Sequence, residues 1–112
     1  LLDAKNLALG LVKAGYQAPT PTKFKLPGAS GRSPIEMQLY DFQLGGKASA
    51  HDCRVAKQIA HVLTGGDIPS NTWVNEQHIL DLEREGFLSL AGEKLTQDRI
   101  MHFMTTGKPL RN

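Results

Sequence analysis

Features that mark several classes of protein are scarce in this sequence. Cys53 is the single cysteine among 112 residues, which excludes an internal disulfide and makes a reducing cytoplasm the expected location. No apolar run approaches the roughly 18 residues of a membrane-spanning helix, and there is no signal-peptide pattern. The net charge of +2 is small and the basic residues are scattered, which argues against nucleic acid as a partner. The length suits one small domain, residues 1–112.

Motifs for catalysis and metal binding are missing as well. The pair Gly46-Lys47 is followed by alanine, and Asp41 stands where a phosphate-binding loop needs its first glycine. Cys53 lies near the start of a predicted helix, where a small residue at the edge of a helix face is more common than a nucleophile. Four histidines lack the spacing of zinc ligands: His51, His61, His78 and His102. The sequence therefore predicts no catalytic residue and no metal ligand.

A first helix is predicted over residues 3–14, with Asp3 as its cap and Gly15 at its end. One face of this helix is apolar and consists of Ala4, Leu7, Ala8, Leu11 and Ala14. Residues 16–32 follow, with three prolines and two glycines. This composition predicts a loop, interrupted only by a short extended piece around Lys23 to Leu26.

The second helix is predicted to begin with a capping box, in which Ser33 is the cap, Pro34 the first residue and Glu36 the third. Ile35, Leu39 and Phe42 form its apolar stripe, and Gly45-Gly46 ends it.

The third helix is predicted from Ser49, with Asp52 completing a second capping box, to Gly65-Gly66. Its predicted buried face consists of Val55, Ala56, Ile59, Ala60, Val62 and Leu63. Its predicted water-facing residues are Arg54, Lys57 and His61.

A helical hairpin is predicted in the last third of the chain. Asn75 is expected to cap the fourth helix, with Val74 packing on Ile79 as a hydrophobic staple. Thr96 is expected to cap the fifth, with Leu95 packing on Ile100. Acidic Glu76 and Asp98 then fall in the two first turns, where they favour the positive ends of the helix dipoles.

Glu83 lies inside the apolar stripe of the fourth helix, which consists of Ile79, Leu82, Gly86, Phe87 and Leu90. A buried carboxylate must be paired or must take up a proton, so an interhelical ion pair with Arg54, Arg99 or Arg111 is predicted, or else an acid or base in a pocket. Gly86 in mid-helix is expected to let another backbone come close. The fold prediction is all-α: a small bundle of about five helices, without a convincing strand, that ends in the capped hairpin.

Four stretches of the sequence carry a resemblance to a known family. They are AKNLALGLVKAGYQAP, HDCRVAKQIAHVLTGGDIP, ILDLEREGFLSL and the closing TGKPLRN. The chain resembles, over nearly its whole length, the carboxyl-terminal region of bacterial 3-hydroxyacyl-CoA dehydrogenases that carry an enoyl-CoA hydratase/isomerase (crotonase-like) region. Because the chain opens on Leu1-Leu2 without an initiator methionine, we expect it to be a piece of such a protein.

The resemblance implies a helical tail that covers the catalytic core and helps to build a homo-oligomer, without catalytic residues of its own. The parent enzyme would act in fatty-acid β-oxidation with NAD and acyl-CoA, and no cofactor is expected in this region itself. By the same analogy Lys108 would contact a phosphate of CoA; the alternative is a solvated lysine beside a proline.

Two other functions stay open at this point. One is a free-standing helical module that binds a partner protein, which would need a full core of its own. The other is an enzyme that works through Glu83 and a histidine, which would need a pocket joining the two.

Overall fold

The computed structural model describes all 112 residues as five helices and two short strands. In chain order the elements are α1 (Leu2–Lys13), β1 (Lys23–Leu26), α2 (Ala29–Leu44), α3 (Ala50–Leu63), β2 (Thr72–Asn75), α4 (Glu76–Ala91) and α5 (Lys94–Thr106). The all-α prediction is confirmed, since the two strands hold only four residues each.

The strands form a two-stranded antiparallel sheet that the sequence did not predict as a sheet. Lys23 pairs with Asn75 and Leu26 with Thr72, so the extended piece expected at residues 23–26 has a partner immediately before α4. Thr72 also donates a hydrogen bond from its hydroxyl to the Pro69 carbonyl at 2.6 Å, which closes the turn that leads into β2. The pairing joins residues about 50 positions apart, and no local pattern reports such a partner.

Two of the predicted helix starts are confirmed. Ser49 accepts from the Asp52 amide while the Asp52 carboxylate accepts from the Ser49 amide, the reciprocal bonds of a capping box. At α4, the Asn75 side chain accepts from the His78 amide at 2.9 Å, and Glu76 lies in the first turn. In both cases donor and acceptor are three residues apart, so the local sequence suffices.

The predicted start of α2 is wrong. The helix begins at Ala29, with Gly28 as its N-cap, and Pro34 lies inside it. Gly28 has a positive φ of 66°, and a Cβ there would lie 2.3 Å from the Ile68 carbonyl oxygen, so glycine alone fits this close approach. The earlier start puts Arg32 on the helix, from where it reaches the segment after α3.

The predicted start of α5 is also wrong. Lys94 is its first residue and Glu93 its N-cap, without a side-chain capping bond and without an acidic residue in the first turn. Thr96 lies within the helix, and its hydroxyl bonds the ring of His51 on α3. Asp98 forms an ion pair with Lys94 along the helix instead of facing its amino-terminal end.

The helices pack in sequence, α2 on α3, α3 on α4 and α4 on α5, and they bury little. Only 9 of the 112 residues are buried, with Cys53, Ala60 and Val74 as the apolar ones. The radius of gyration is 19.7 Å, whereas a compact domain of this length would have about 13 Å. The predicted arrangement of about five helices is confirmed, and these helices bury little of their surface against one another.

We call residues 1–22 the arm and residues 23–112 the body. The arm consists of α1 and the segment that follows it, and none of its residues is buried. α1 ends close to the predicted place, with Gly15 at a φ of 78°. Its apolar stripe lies open, with Leu7 67% and Leu11 48% exposed.

The faces predicted to be buried are mostly open in the body too. Ile59 and Leu63 of α3 are 52% and 64% exposed, and Phe87 of α4 is 63% exposed. Ile35 and Phe42 of α2 are also exposed. The periodicity located the apolar faces correctly, but these faces are largely uncovered in the structure.

Candidate docking surface

Polar bridges hold the helices of the body together. His51, buried at 4% exposure, shares a 2.9 Å hydrogen bond from Nε2 to the Thr96 hydroxyl, and its Nδ1 lies 3.7 Å from the Glu93 carboxylate. Arg54 Nε lies 2.9 Å from the same carboxylate as an ion pair, and Arg54 Nη2 donates to the Ser89 hydroxyl at 3.0 Å. Arg54 was predicted to face water; in the structure it joins α3 to the α4–α5 junction.

A second bridge ties the start of α3 to the end of the chain. Arg99 donates to the Asp52 carboxylate at 2.8 Å and to the Asn112 side chain at 2.6 Å. The Ser49 backbone amide and the Arg99 guanidinium lower the pKa of Asp52 from 3.8 to about 2. Asn112 in turn donates to the Leu95 carbonyl at 3.0 Å, so this bridge also reaches the first turn of α5.

Arg32 forms the third bridge, between α2 and the segment after α3. It donates to His61 Nδ1 at 2.9 Å, to the Gly66 carbonyl at 3.3 Å and to Asp67 at 3.1 Å, and its side chain is only 14% exposed. A guanidinium has no acceptor, so His61 Nδ1 must accept here. His61, also predicted to face water, is thus part of an interhelical contact.

The predicted ion pair of Glu83 is wrong. Glu83 is exposed and has no cationic partner. Each of the three candidate arginines is engaged elsewhere: Arg54 with Glu93, Arg99 with Asp52, and Arg111 with the Lys47 carbonyl. The helical periodicity placed Glu83 correctly on the apolar stripe of α4. Because that stripe is uncovered, the carboxylate remains hydrated and needs no ion pair.

Glu83 lies at an open cavity between α3 and α4 with a volume of about 510 Å³, which we call the α3–α4 groove. Its walls are mainly apolar and include Val55, Ile59 and Val62 of α3 and Ile79, Phe87 and Leu90 of α4. Gly86 forms part of the groove because the Gln58 side chain of α3 passes close to it, with Cγ 2.9 Å from where a Cβ would be. A side chain, and not the predicted backbone, therefore makes the close approach.

The groove contains no histidine, so the pocket that an enzyme working through Glu83 and a histidine requires is not formed. His78 donates from Nε2 to the Gly65 carbonyl at 2.8 Å, while His51 and His61 belong to the bridges. Cys53 is buried and its thiol donates to the Leu39 carbonyl at 3.4 Å. No three His, Cys, Asp or Glu residues lie close enough to hold a metal ion.

Lys108 follows α5 on an exposed segment, and its backbone amide donates to the Thr106 hydroxyl at 3.1 Å. Its side chain makes no hydrogen bond or ion pair within the chain. Next to it, Pro109 and Leu110 join Ile100, Phe103 and Met104 of α5 around a second apolar cavity of about 360 Å³. The contact of Lys108 with CoA stays a prediction.

None of the helices is both long and apolar enough to cross a membrane. Sequence reasoning missed the three bridges, although their charged and polar residues were all visible. Arg32, Arg99 and Glu93 are ordinary surface residues by local pattern, and only the helix packing brings their partners within reach.

Comparison with known proteins agrees with the resemblance of the sequence. Over all 112 residues the chain is 43% identical to a protein of Bacillus subtilis (strain 168) named "Probable 3-hydroxyacyl-CoA dehydrogenase". The chain spans 14% of that protein's length. No protein-family profile and no solved structure matches the chain. The resemblance to a 3-hydroxyacyl-CoA dehydrogenase is confirmed to this extent, whereas the crotonase-like assignment stays a prediction.

Proposed function

We propose that this chain is a non-catalytic, carboxyl-terminal helical region of a cytoplasmic fatty-acid β-oxidation enzyme. The enzyme would be a 3-hydroxyacyl-CoA dehydrogenase that also hydrates enoyl-CoA in a crotonase-like region. Within it, this region would pack against the catalytic core and contribute subunit contacts in a homo-oligomer.

One observation carries the proposal: a chain similar over its whole length to a short part of a longer enzyme buries only 9 of its residues. Exposed apolar surface on this scale is uncommon in a monomeric protein and marks surface that another polypeptide covers. In contrast, the polar bridges around His51, Asp52 and Arg32 are internally satisfied, and no buried side-chain N or O atom lacks a partner. The body is therefore built to keep its helix arrangement while presenting apolar faces outward.

The parent enzyme would use NAD and acyl-CoA thioesters. In this region, Lys108 is the residue proposed to contact a CoA phosphate, since its ammonium group is exposed and not engaged within the chain. A cation of this kind adds binding energy to the substrate without touching the reacting atoms, so the reaction itself would take place on other parts of the parent.

The rival function, a free-standing module that binds a partner protein, is less well supported. Such a module would expose one binding face, whereas here the apolar faces of α2, α3 and α4 are open together.

Reconstitution of the full-length enzyme tests the proposal. We expect an enzyme that lacks this region to lose subunit assembly and most of its dehydrogenase and hydratase turnover, and the separately supplied 112-residue chain to restore both. The chain alone should convert neither 3-hydroxyacyl-CoA nor enoyl-CoA. Turnover by the chain alone, or a truncated enzyme with unchanged activity and assembly, would contradict the proposal.

A further inference from the structure

We propose that the α3–α4 groove binds helix α1 of a second copy of this chain. The proposal rests on the subunit-contact role given above and names the surfaces that form the contact. α1 is the one helix whose residues are all exposed, and the groove is the largest apolar cavity described for the body. The exposed apolar stripe of α1 and the open apolar groove are therefore complementary surfaces.

The two surfaces match in length. At 1.5 Å per residue, the groove side of α4 from Ile79 to Leu90 is about 16 Å long. The apolar stripe of α1 from Ala4 to Ala14 is about 15 Å long by the same measure. A helix that lays its apolar face into a groove between two others is a recurrent mode of recognition.

Charge favours the same pairing. Glu83 is the sole charged residue that lines the groove, and it has no cationic partner in the chain. Lys5 lies about 60° around α1 from Ala8, at the edge of the apolar stripe, and is likewise free of any ion pair. With the stripe seated in the groove, Lys5 lies at the rim where Glu83 can reach it.

A second copy fits better than α1 of the same chain. Residues 16–22 join α1 to β1 and include Pro19 and Pro21, which keep this short segment extended and hold α1 away from its own body. If each copy docks its arm on the other, the two copies form a closed dimer with twofold symmetry. It buries two helix faces and two grooves, on the order of the 1,200 Å² at which stable interfaces begin.

Light scattering over a concentration series tests the pairing on the 112-residue chain. We expect a dimer for the wild type and at least about tenfold weaker association for L7D/L11D, which puts two charges into the stripe. The matched control is L2D/L9D, with the same substitutions on the opposite side of α1; it should dimerise as the wild type does. Because α1 contains no buried residue, neither variant should unfold the body.

A charge exchange tests the register. K5E and E83K should each weaken the dimer by about two- to fivefold, and the double variant K5E/E83K should recover the wild-type affinity. Mixing L7D/L11D with a groove variant, I59D, should give a heterodimer through the one intact pair of surfaces.

Three outcomes would overturn the inference. They are a wild type that is monomeric at all concentrations, a dimer equally weakened by L2D/L9D and L7D/L11D, and a dimer that persists when residues 1–22 are removed. None of them bears on reconstitution of dehydrogenase activity, so this pairing can fail while the proposed function stands.

Discussion

The arm is richer in apolar residues than the body, and the side chains of the two regions differ in what they contact. In the body, charged side chains reach across helices: Arg32, Arg54 and Arg99 each join two elements. In the arm, Asp3, Lys5 and Lys13 make no such contact, and no residue is buried. An amphipathic helix thus needs a partner surface before its apolar stripe contributes to stability, and polar bridges are what fix helix positions when the core is small.

The largest expected difference between the two regions concerns their glycines. G28A should destabilise the body by about 2–4 kcal/mol, because the new Cβ meets the Ile68 carbonyl and the backbone has a positive φ. G15A shares the positive φ but has open space around it, so it should cost at most about 1 kcal/mol and leave the melting of the body unchanged. Thermal denaturation followed by circular dichroism compares the two. Equal effects would mean that the approach of Ile68 to Gly28 is not tight in solution.

Asp52 gives the body a dependence of its stability on pH. Its pKa is lowered to about 2, so its contribution is fully present above about pH 4 and is lost as the pH falls towards 2. The Asp52 side chain is 31% exposed, so we expect D52N to cost only about 1 kcal/mol at neutral pH and to flatten the stability profile in that window. D41N, on an exposed position of α2, is the control and should keep the wild-type profile. If the stability of D52N falls as steeply with pH as that of the wild type, the ion pair of Asp52 with Arg99 does not contribute to stability in solution.

Two glutamates of the body allow a carboxylate that bridges helices, Glu93, to be compared with an exposed one, Glu83. E93Q should lower stability by about 1 kcal/mol, because Glu93 contacts both Arg54 and His51. E83Q should change the free energy of unfolding by less than about 0.5 kcal/mol, as is usual for surface substitutions. Urea denaturation measures both. A larger loss of unfolding free energy for E83Q than for E93Q would support the ion pair of Glu83 that the sequence predicted.

The smallest expected effect is that of removing the arm. Deletion of residues 1–22 should leave the melting temperature of the body within about 2 °C when measured well below any dimerisation concentration, since no buried residue is lost. A large loss of stability would show that α1 folds onto its own body.

The candidate site was predictable only in part. Glu83 and the apolar residues of α3 and α4 were found from a helical wheel, because spacing along a helix fixes which face a side chain shares. Whether that face was covered could not be read, so the ion pair of Glu83 was wrong and the groove was missed. Likewise Thr96 has the sequence of a helix cap, but its hydroxyl bonds His51, a partner 45 positions away.

The sequence alone determined the five helices, two of their caps at Ser49 and Asn75, and the glycine that ends α1. These features depend on bonds between residues at most four positions apart, and the chain carries that information locally. Tertiary structure decided the starts of α2 and α5, the β1–β2 pairing, the three polar bridges and the openness of the apolar faces. Each of these depends on which distant surface comes into contact, and a surface that remains without cover is visible only once the whole chain has been placed in space.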